Sequence, residues 1–181
     1  MHSQTSQQAL VTVVVVPRES FNMFTEVVER IFRLTQIPFK MIIMEGHAPK
    51  KVRRGLEAIA QGREECRIVY SDKWRYPPEF VNQAIPMIDT RYVVFIDNDV
   101  EVLEGWLENL VGTAERENAG CVHPIYLTVR AHDPSQKIHI AEGKLHRVKR
   151  GNKWIIDTVA CYSGVSLKDY PDRRADRKSV V

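Results

Sequence analysis

Two aspartates one residue apart, Asp97 and Asp99, follow directly on the apolar run Tyr92 to Ile96 (YVVFI). Hard divalent cations take oxygen ligands, commonly one or two carboxylates completed by phosphate oxygens of a substrate. Asp97-Asn98-Asp99 can thus offer one carboxylate to a metal ion and the other to a ribose or a bridging water. Further polar residues stand at equivalent points, each just after an apolar run: Pro17-Arg18-Glu19, Glu45-Gly46 and Ser71-Asp72. Carboxylates gathered at one place repel one another, so such a set calls for a cation or a polyhydroxyl ligand. Structural readings stand beside these. Glu45 could cap the helix after it. Asn82 could be an ordinary polar helix position, and Glu101 and Glu104 suit an acidic first turn. Trp74, Arg75 and Tyr76 could stack on a base or pack a loop.

The elements that must position these residues alternate along the chain. Leu10 to Val16 is a β-branched run of the kind buried on both faces of a parallel sheet, ended by Pro17. Phe21, Phe24, Val27, Val28, Ile31 and Leu34 fall at helical spacing. Met41–Met44, Arg67–Tyr70 and Tyr92–Ile96 read as further buried strands. Val52–Ala60 and Trp106–Ala114 read as helices, and Pro77-Pro78 opens another, with Phe80, Val81, Ala84 and Ile85 on its inner face. Cys121–Val129 is a fifth strand candidate, with Pro124 implying a bend or an edge. Right-handed crossovers then give a mostly parallel sheet covered by helices, a three-layer αβα sandwich. In such folds ligands bind outside the carboxyl ends of the strands, where all four polar segments fall.

Composition bounds the rest. The chain has 181 residues, 44% hydrophobic and 27% charged, enough apolar content for one domain with a core and too much for disorder. Three scattered cysteines without CxxC spacing exclude a disulfide scaffold and point to a reduced, cytoplasmic setting, with the thiols as unreactive core residues. The apolar run Ala9–Pro17 is far short of the roughly 20 residues of a membrane span. His123, His132, His139 and His146 lack the spacing of a zinc site. Net charge is +3, yet Lys144–Lys178 alone carries ten Lys and Arg against four Asp. That basic stretch reads either as a solvated surface or as a contact for a peripheral membrane or a phosphorylated substrate. No RNA-binding or zinc-finger signature accompanies it, so nucleic acid is not an expected partner.

The stretch TRYVVFIDNDVEVLEGWLENLV resembles the Asp-x-Asp region of family 2 glycosyltransferases of the GT-A fold. VTVVVVPRESFNMFTEVVERIFRLTQ is similar to that family's first strand, Pro turn and first helix. KMIIMEGHAP takes the place of the second strand with its acidic end, and FVNQAIPMIDTRYVVFIDND resembles the helix leading into the Asp-x-Asp strand. The resemblance covers about residues 10–127. It implies metal-dependent transfer, with inversion, of a sugar from a nucleotide-diphosphate donor (a UDP-sugar favoured) to a glycan or lipid-linked acceptor hydroxyl. Mn²⁺ or Mg²⁺ would be held by Asp99 and Asp97, Asp97 also reaching the ribose. Pro17 and Glu19 would line the nucleotide pocket, Glu45 would lie near base and ribose, and Asn82 and Arg75 would face the donor and its diphosphate. The chain departs from the pattern with Arg18-Glu19 after the proline, with Glu45-Gly46, and in having no residue that matches the family's general base. Met1–Gln8 is polar, with two Ser and three Gln, and reads as a flexible tail, while the resemblance implies a donor-binding core over 9–130. Residues 131–181 would be a basic excursion toward an acceptor half, with the base beyond Val181. The rivals are a non-catalytic binding module of the same fold and a nucleotidyltransferase, although PRESFN is not the Gly-rich, Lys-bearing loop the latter needs. A phosphatase with its Asp-x-Asp after the first strand is disfavoured.

Overall fold

The β-branched run after Leu10 forms β1 (Val11–Val16), every residue of it buried. The computed structural model describes residues 9–130, 133–161 and 163–170. The first eight residues, His132 and everything from Pro171 onward lie outside that set, as do the side chains of His146 and Cys161. Two compact units follow one another, Met1–Glu108 and Asn109–Val181.

In the first unit β1 is followed by α1 (Phe24–Leu34), β2 (Phe39–Met44), α2 (Lys50–Ala60), β3 (Cys66–Val69), α3 (Pro77–Ala84) and β4 (Tyr92–Asp97). The strands form one parallel sheet in the order β3-β2-β1-β4. Two crossovers step outward from β1 and the third returns past it. Right-handed connections therefore put α1 and α2 on one face and α3 on the other, which is the layered α/β architecture the alternation implies. Phe80 and Ala84 of α3 pack with Val14, Val16, Ile42, Met44 and Val69. The opposite pleat (Val11, Val13, Val15, Met41, Ile43) is equally buried. It faces the helices whose buried residues are Phe24, Val27, Val28 and Ile31 in α1 and Leu56 and Ile59 in α2.

Several boundaries differ from the sequence reading. The first helix starts at Phe24 instead of Phe21, whose ring stacks on Phe24 at 6.3 Å from outside the helix. The second begins earlier than Val52, at Lys50, directly after Pro49. Its internal Gly55 has a packing reason, since a Cβ there would stand 2.6 Å from Thr25 Cγ2 of α1. β4 is an edge strand and not fully buried. Val93 and Phe95 point to the α3 side, beyond that helix's cover, and remain 39% and 37% exposed.

α4 (Trp106–Arg116) crosses into the second unit, which holds β5 (Tyr126–Arg130), β6 (Asp133–Ile140), β7 (Glu142–Arg150) and β8 (Lys153–Cys161). The expected fifth strand is thus shorter than Cys121–Val129. It pairs antiparallel with β6, through an irregular register, instead of joining the parallel sheet. β7 and β8 form a regular antiparallel hairpin. A small core joins Ile125, Ile138 and Ala141 with Leu127, Leu167 and Tyr170. Two cysteines depart from the core reading. Cys121 is exposed, and Cys66 is partly exposed, its thiol pushed up to about 11 by burial and by Glu65. No helix among the described residues is long and apolar enough to cross a membrane.

Candidate functional site

The strand order reverses between β1 and β4, so the crevice beyond their carboxyl ends is where a layered α/β fold opens a ligand site. In that register Val16 stands opposite Asp97, and the Asn98 N–H donates to Val16 O at 3.0 Å. Beyond this last rung the chain turns, with the Val100 N–H donating to Asp97 O at 3.3 Å, which leaves Asp99 exposed on the turn.

Asn98, between the two aspartates, is fully buried. Its Oδ1 accepts from the Arg18 N–H at 2.8 Å and its Nδ2 donates to Ser20 O at 2.7 Å. Both ends of one amide therefore tie the loop after β1 to the Asp97–Asp99 turn. That loop begins with the buried Pro17 and carries Arg18, whose Nε lies 4.0 Å from Asp97 Oδ2 and 3.5 Å from Glu19 Oε2. The Asp97 carboxyl is held above the usual carboxylate range, mainly by burial. Arg18 opposes that shift, while the charges of Asp99 and Glu19 add to it. An acid so placed gains from a second cation.

The loop after β2 is built around Glu45, which is also fully buried. Its Oε2 accepts from the His47 N–H at 3.0 Å, and its Oε1 accepts from the Ala48 N–H at 2.7 Å and from Arg53 Nε and Nη2, both at 3.0 Å. Glu45 thus satisfies the loop ahead of α2 and not the N-terminus of the helix. The tight path needs positive φ at Gly46 (+71°) and His47 (+62°). A Cβ on Gly46 would come within 2.5 Å of Pro17 Cγ, so the Gly46 backbone lies directly against the Pro17 ring.

Arg75 lies in the loop after β3, where Nε donates to Ser71 Oγ at 3.4 Å and Nη2 reaches Asp72 Oδ1 at 3.3 Å. Trp74 and Tyr76 flank it and meet edge to face, ring centroids 5.0 Å apart. The Tyr76 N–H is held by Glu79 of α3 at 2.9 Å. The fold thus brings Pro17, Glu19, Asp97 and Asp99 together, with Glu45 adjoining through Gly46 and Arg75 on the next loop of the same edge. Asn82 is not among them. It is the sixth residue of α3, exposed, about 7–8 Å down the helix from its start. Glu101 precedes α4 instead of entering its first turn, and pairs with Arg30 of α1 at 3.1 Å.

Two shallow grooves, each of about 600 Å³, lie along α2, one beside Ile68 and Tyr70 and the other beside Phe32 and Arg63. Neither is lined by Asp97 or Asp99. Among the described residues no three His, Cys, Asp or Glu converge as a set that could hold a metal unaided. Two carboxylates suffice where diphosphate oxygens and water complete the shell, as is usual for Mg²⁺, so the donor set fits such an ion. Sequence reasoning noted Arg18, Asn98 and Gly46 without giving them a role and assigned none to Arg53. The only local signal was a polar residue between two acids.

No curated protein matches the chain. The model of glycosyl transferase family 2 matches residues 12–169, which takes in the parallel sheet, the acid pair and both antiparallel pairs of strands. The chain belongs to glycosyl transferase family 2.

Proposed function

We propose that the carboxyl edge of β1, β2 and β4 binds a nucleoside-diphosphate sugar, a UDP-sugar in the first instance. The sugar would pass to a hydroxyl of a glycan or lipid-linked acceptor. Residues 9–130 form the donor-binding core in this reading. The observation that carries it is the Asp97–Asp99 pair at the switch point of the sheet, locked by Asn98 to the loop that bears Pro17, Arg18 and Glu19. Asp99 and Asp97 would hold Mn²⁺ or Mg²⁺, which neutralises the diphosphate leaving group when bound. Pro17 and Glu19 border the nucleotide, and Arg18 and Arg75 supply cations toward its phosphates. Glu45 works from behind, by shaping the loop that meets Pro17. The bond from the anomeric carbon to the diphosphate breaks as the acceptor oxygen attacks in line. The configuration inverts, and the acceptor's proton passes to a base outside the residues named here.

Thermal unfolding with UDP, GDP or CMP, each with and without Mn²⁺, tests the donor site. Ligand at a hundred times its dissociation constant adds about 2.7 kcal/mol, or roughly 5–10 °C for a chain of this size. One nucleotide should give that shift only with Mn²⁺, and Asp99→Ala should abolish it. Undiminished binding by that variant would overturn the assignment. Nucleotide binding without hydrolysis or transfer would leave a binding module in its place.

A further inference from the structure

The β7–β8 hairpin presents cations and one aromatic with no acid among them. Between Glu142 and Asp157 the chain has no Asp or Glu, while Arg147, Lys149, Arg150 and Lys153 fall within seven residues. All four are exposed, as is Trp154 at 56%, and they stand on both sides of a turn formed by Gly151 and Asn152. The antiparallel register pairs Lys149 with Trp154 and Arg150 with Lys153. Because residues two apart share a face, Arg147, Lys149 and Trp154 lie on one side of the ribbon. The Arg147 guanidinium sits 4.6 Å from the Trp154 ring centroid. Among the described residues no carboxylate pairs with Arg147, Lys149 or Lys153.

From this we infer that the hairpin tip is a docking surface for an anionic lipid bilayer. Tryptophan, with an apolar body and one N–H, settles at the boundary between headgroups and acyl chains. Lysine and arginine bury their stems along such a boundary while their charges meet lipid phosphates and carboxylates. A sugar platform would want an open ring face, whereas one face of this indole is already taken by Arg147. Nucleic acid would meet the same cations, so it serves as the rival in the test. The inference does not depend on the donor-site reading, because every residue in it belongs to the second unit.

The full chain is sedimented with vesicles of neutral phosphatidylcholine and with vesicles carrying about a third phosphatidylserine. Binding should require the anionic lipid and weaken steeply with salt. Each lysine near an anionic surface contributes about five-fold in affinity, so Lys149→Ala with Lys153→Ala should weaken binding about twenty-five-fold. Trp154→Ala should weaken it further, and Trp154→Phe should keep part of the binding that Trp154→Ala loses. Lys168→Ala, on an exposed lysine outside the hairpin, serves as the charge control and should change binding little. Equal binding to neutral vesicles, no binding to either, or unchanged binding by the double variant would each overturn the inference. So would tighter capture of single-stranded RNA than of anionic vesicles through the same residues.

Discussion

Asn98 offers the sharpest test of how this edge is held together. Its amide makes two hydrogen bonds to the loop after β1, at 2.8 Å and 2.7 Å, from a fully buried position. A neutral hydrogen bond contributes about 0.5–1.5 kcal/mol net, so Asn98→Ala should cost about 2 kcal/mol. For a chain of this length that lowers Tm by about 4–8 °C. Asn98→Asp is nearly isosteric and separates geometry from chemistry. It keeps the acceptor for the Arg18 N–H, loses the donor to Ser20 O, and buries a third carboxylate between two others. Removing the partner of a buried charge costs about 3–5 kcal/mol, so the aspartate variant should be less stable than the alanine variant although it leaves no cavity. Urea unfolding measures both. Nucleotide titration by calorimetry adds a second readout, because a loop that must be ordered on binding at a cost of about 1.4 kcal/mol weakens affinity about ten-fold. An aspartate variant as stable as the parent, or an alanine variant with unchanged nucleotide affinity, would refute the reasoning.

Other perturbations reach the same edge and the cysteines. Gly46→Ala combines a left-handed backbone with a Cβ 2.5 Å from Pro17 Cγ, so it should cost about 2–4 kcal/mol in urea unfolding. An unchanged midpoint would show that the two loops can part freely. Asp97 has a folded-state pKa above its unfolded value, so its contribution to stability is fully present below the unfolded value and is lost as pH rises through the folded one. Asp97→Asn should therefore flatten the fall in stability above the ordinary carboxylate range and leave the protein at least as stable at pH 7, while removing the nucleotide-dependent shift. A clearly lower Tm for that variant at pH 7 would contradict this. For Cys66, a thiol raised from 9.0 to about 11 holds roughly a hundredth of the usual thiolate at pH 8. Higher intrinsic nucleophilicity restores about ten-fold of that, so its alkylation should run about ten-fold slower than that of exposed Cys121, as peptide mapping would show.

The parallel sheet was legible because its strands announce themselves. VTVVVV and MIIM are continuous apolar runs closed by Pro17 and by Glu45-Gly46, and the helices between them carry apolar residues at regular spacing. The second unit was harder to read for a physical reason. GKLHRVKR in β7 mixes charge with scattered apolar residues, so neither a buried run nor a clean alternation marks it, and only the pairing with β8 makes it a strand. The family match reaches residue 169, well past residue 127 where the visible likeness stopped. Within the site, position after a strand picked out the acids. What each acid touches was not available from neighbours in the chain. Asn98 meets Arg18 and Ser20 across about eighty residues, and Glu45 turned inward because Arg53, one α2 turn in, lies within reach of its carboxylate. Asn82, read either as facing the donor or as an ordinary polar helix position, is the sixth residue of α3 because that helix opens at Pro77.

The Asn98 tie has a further meaning for how selectivity could change in this protein. Its amide grips main-chain atoms of residues 18 and 20, never their side chains. The route of the loop and the chemistry displayed along it are therefore set by separate residues. Arg18, Glu19 and Ser20 can be exchanged for other types without moving the backbone that presents them. A library varied at these three positions and keeping Asn98 should yield folded proteins that differ in the nucleotide they prefer.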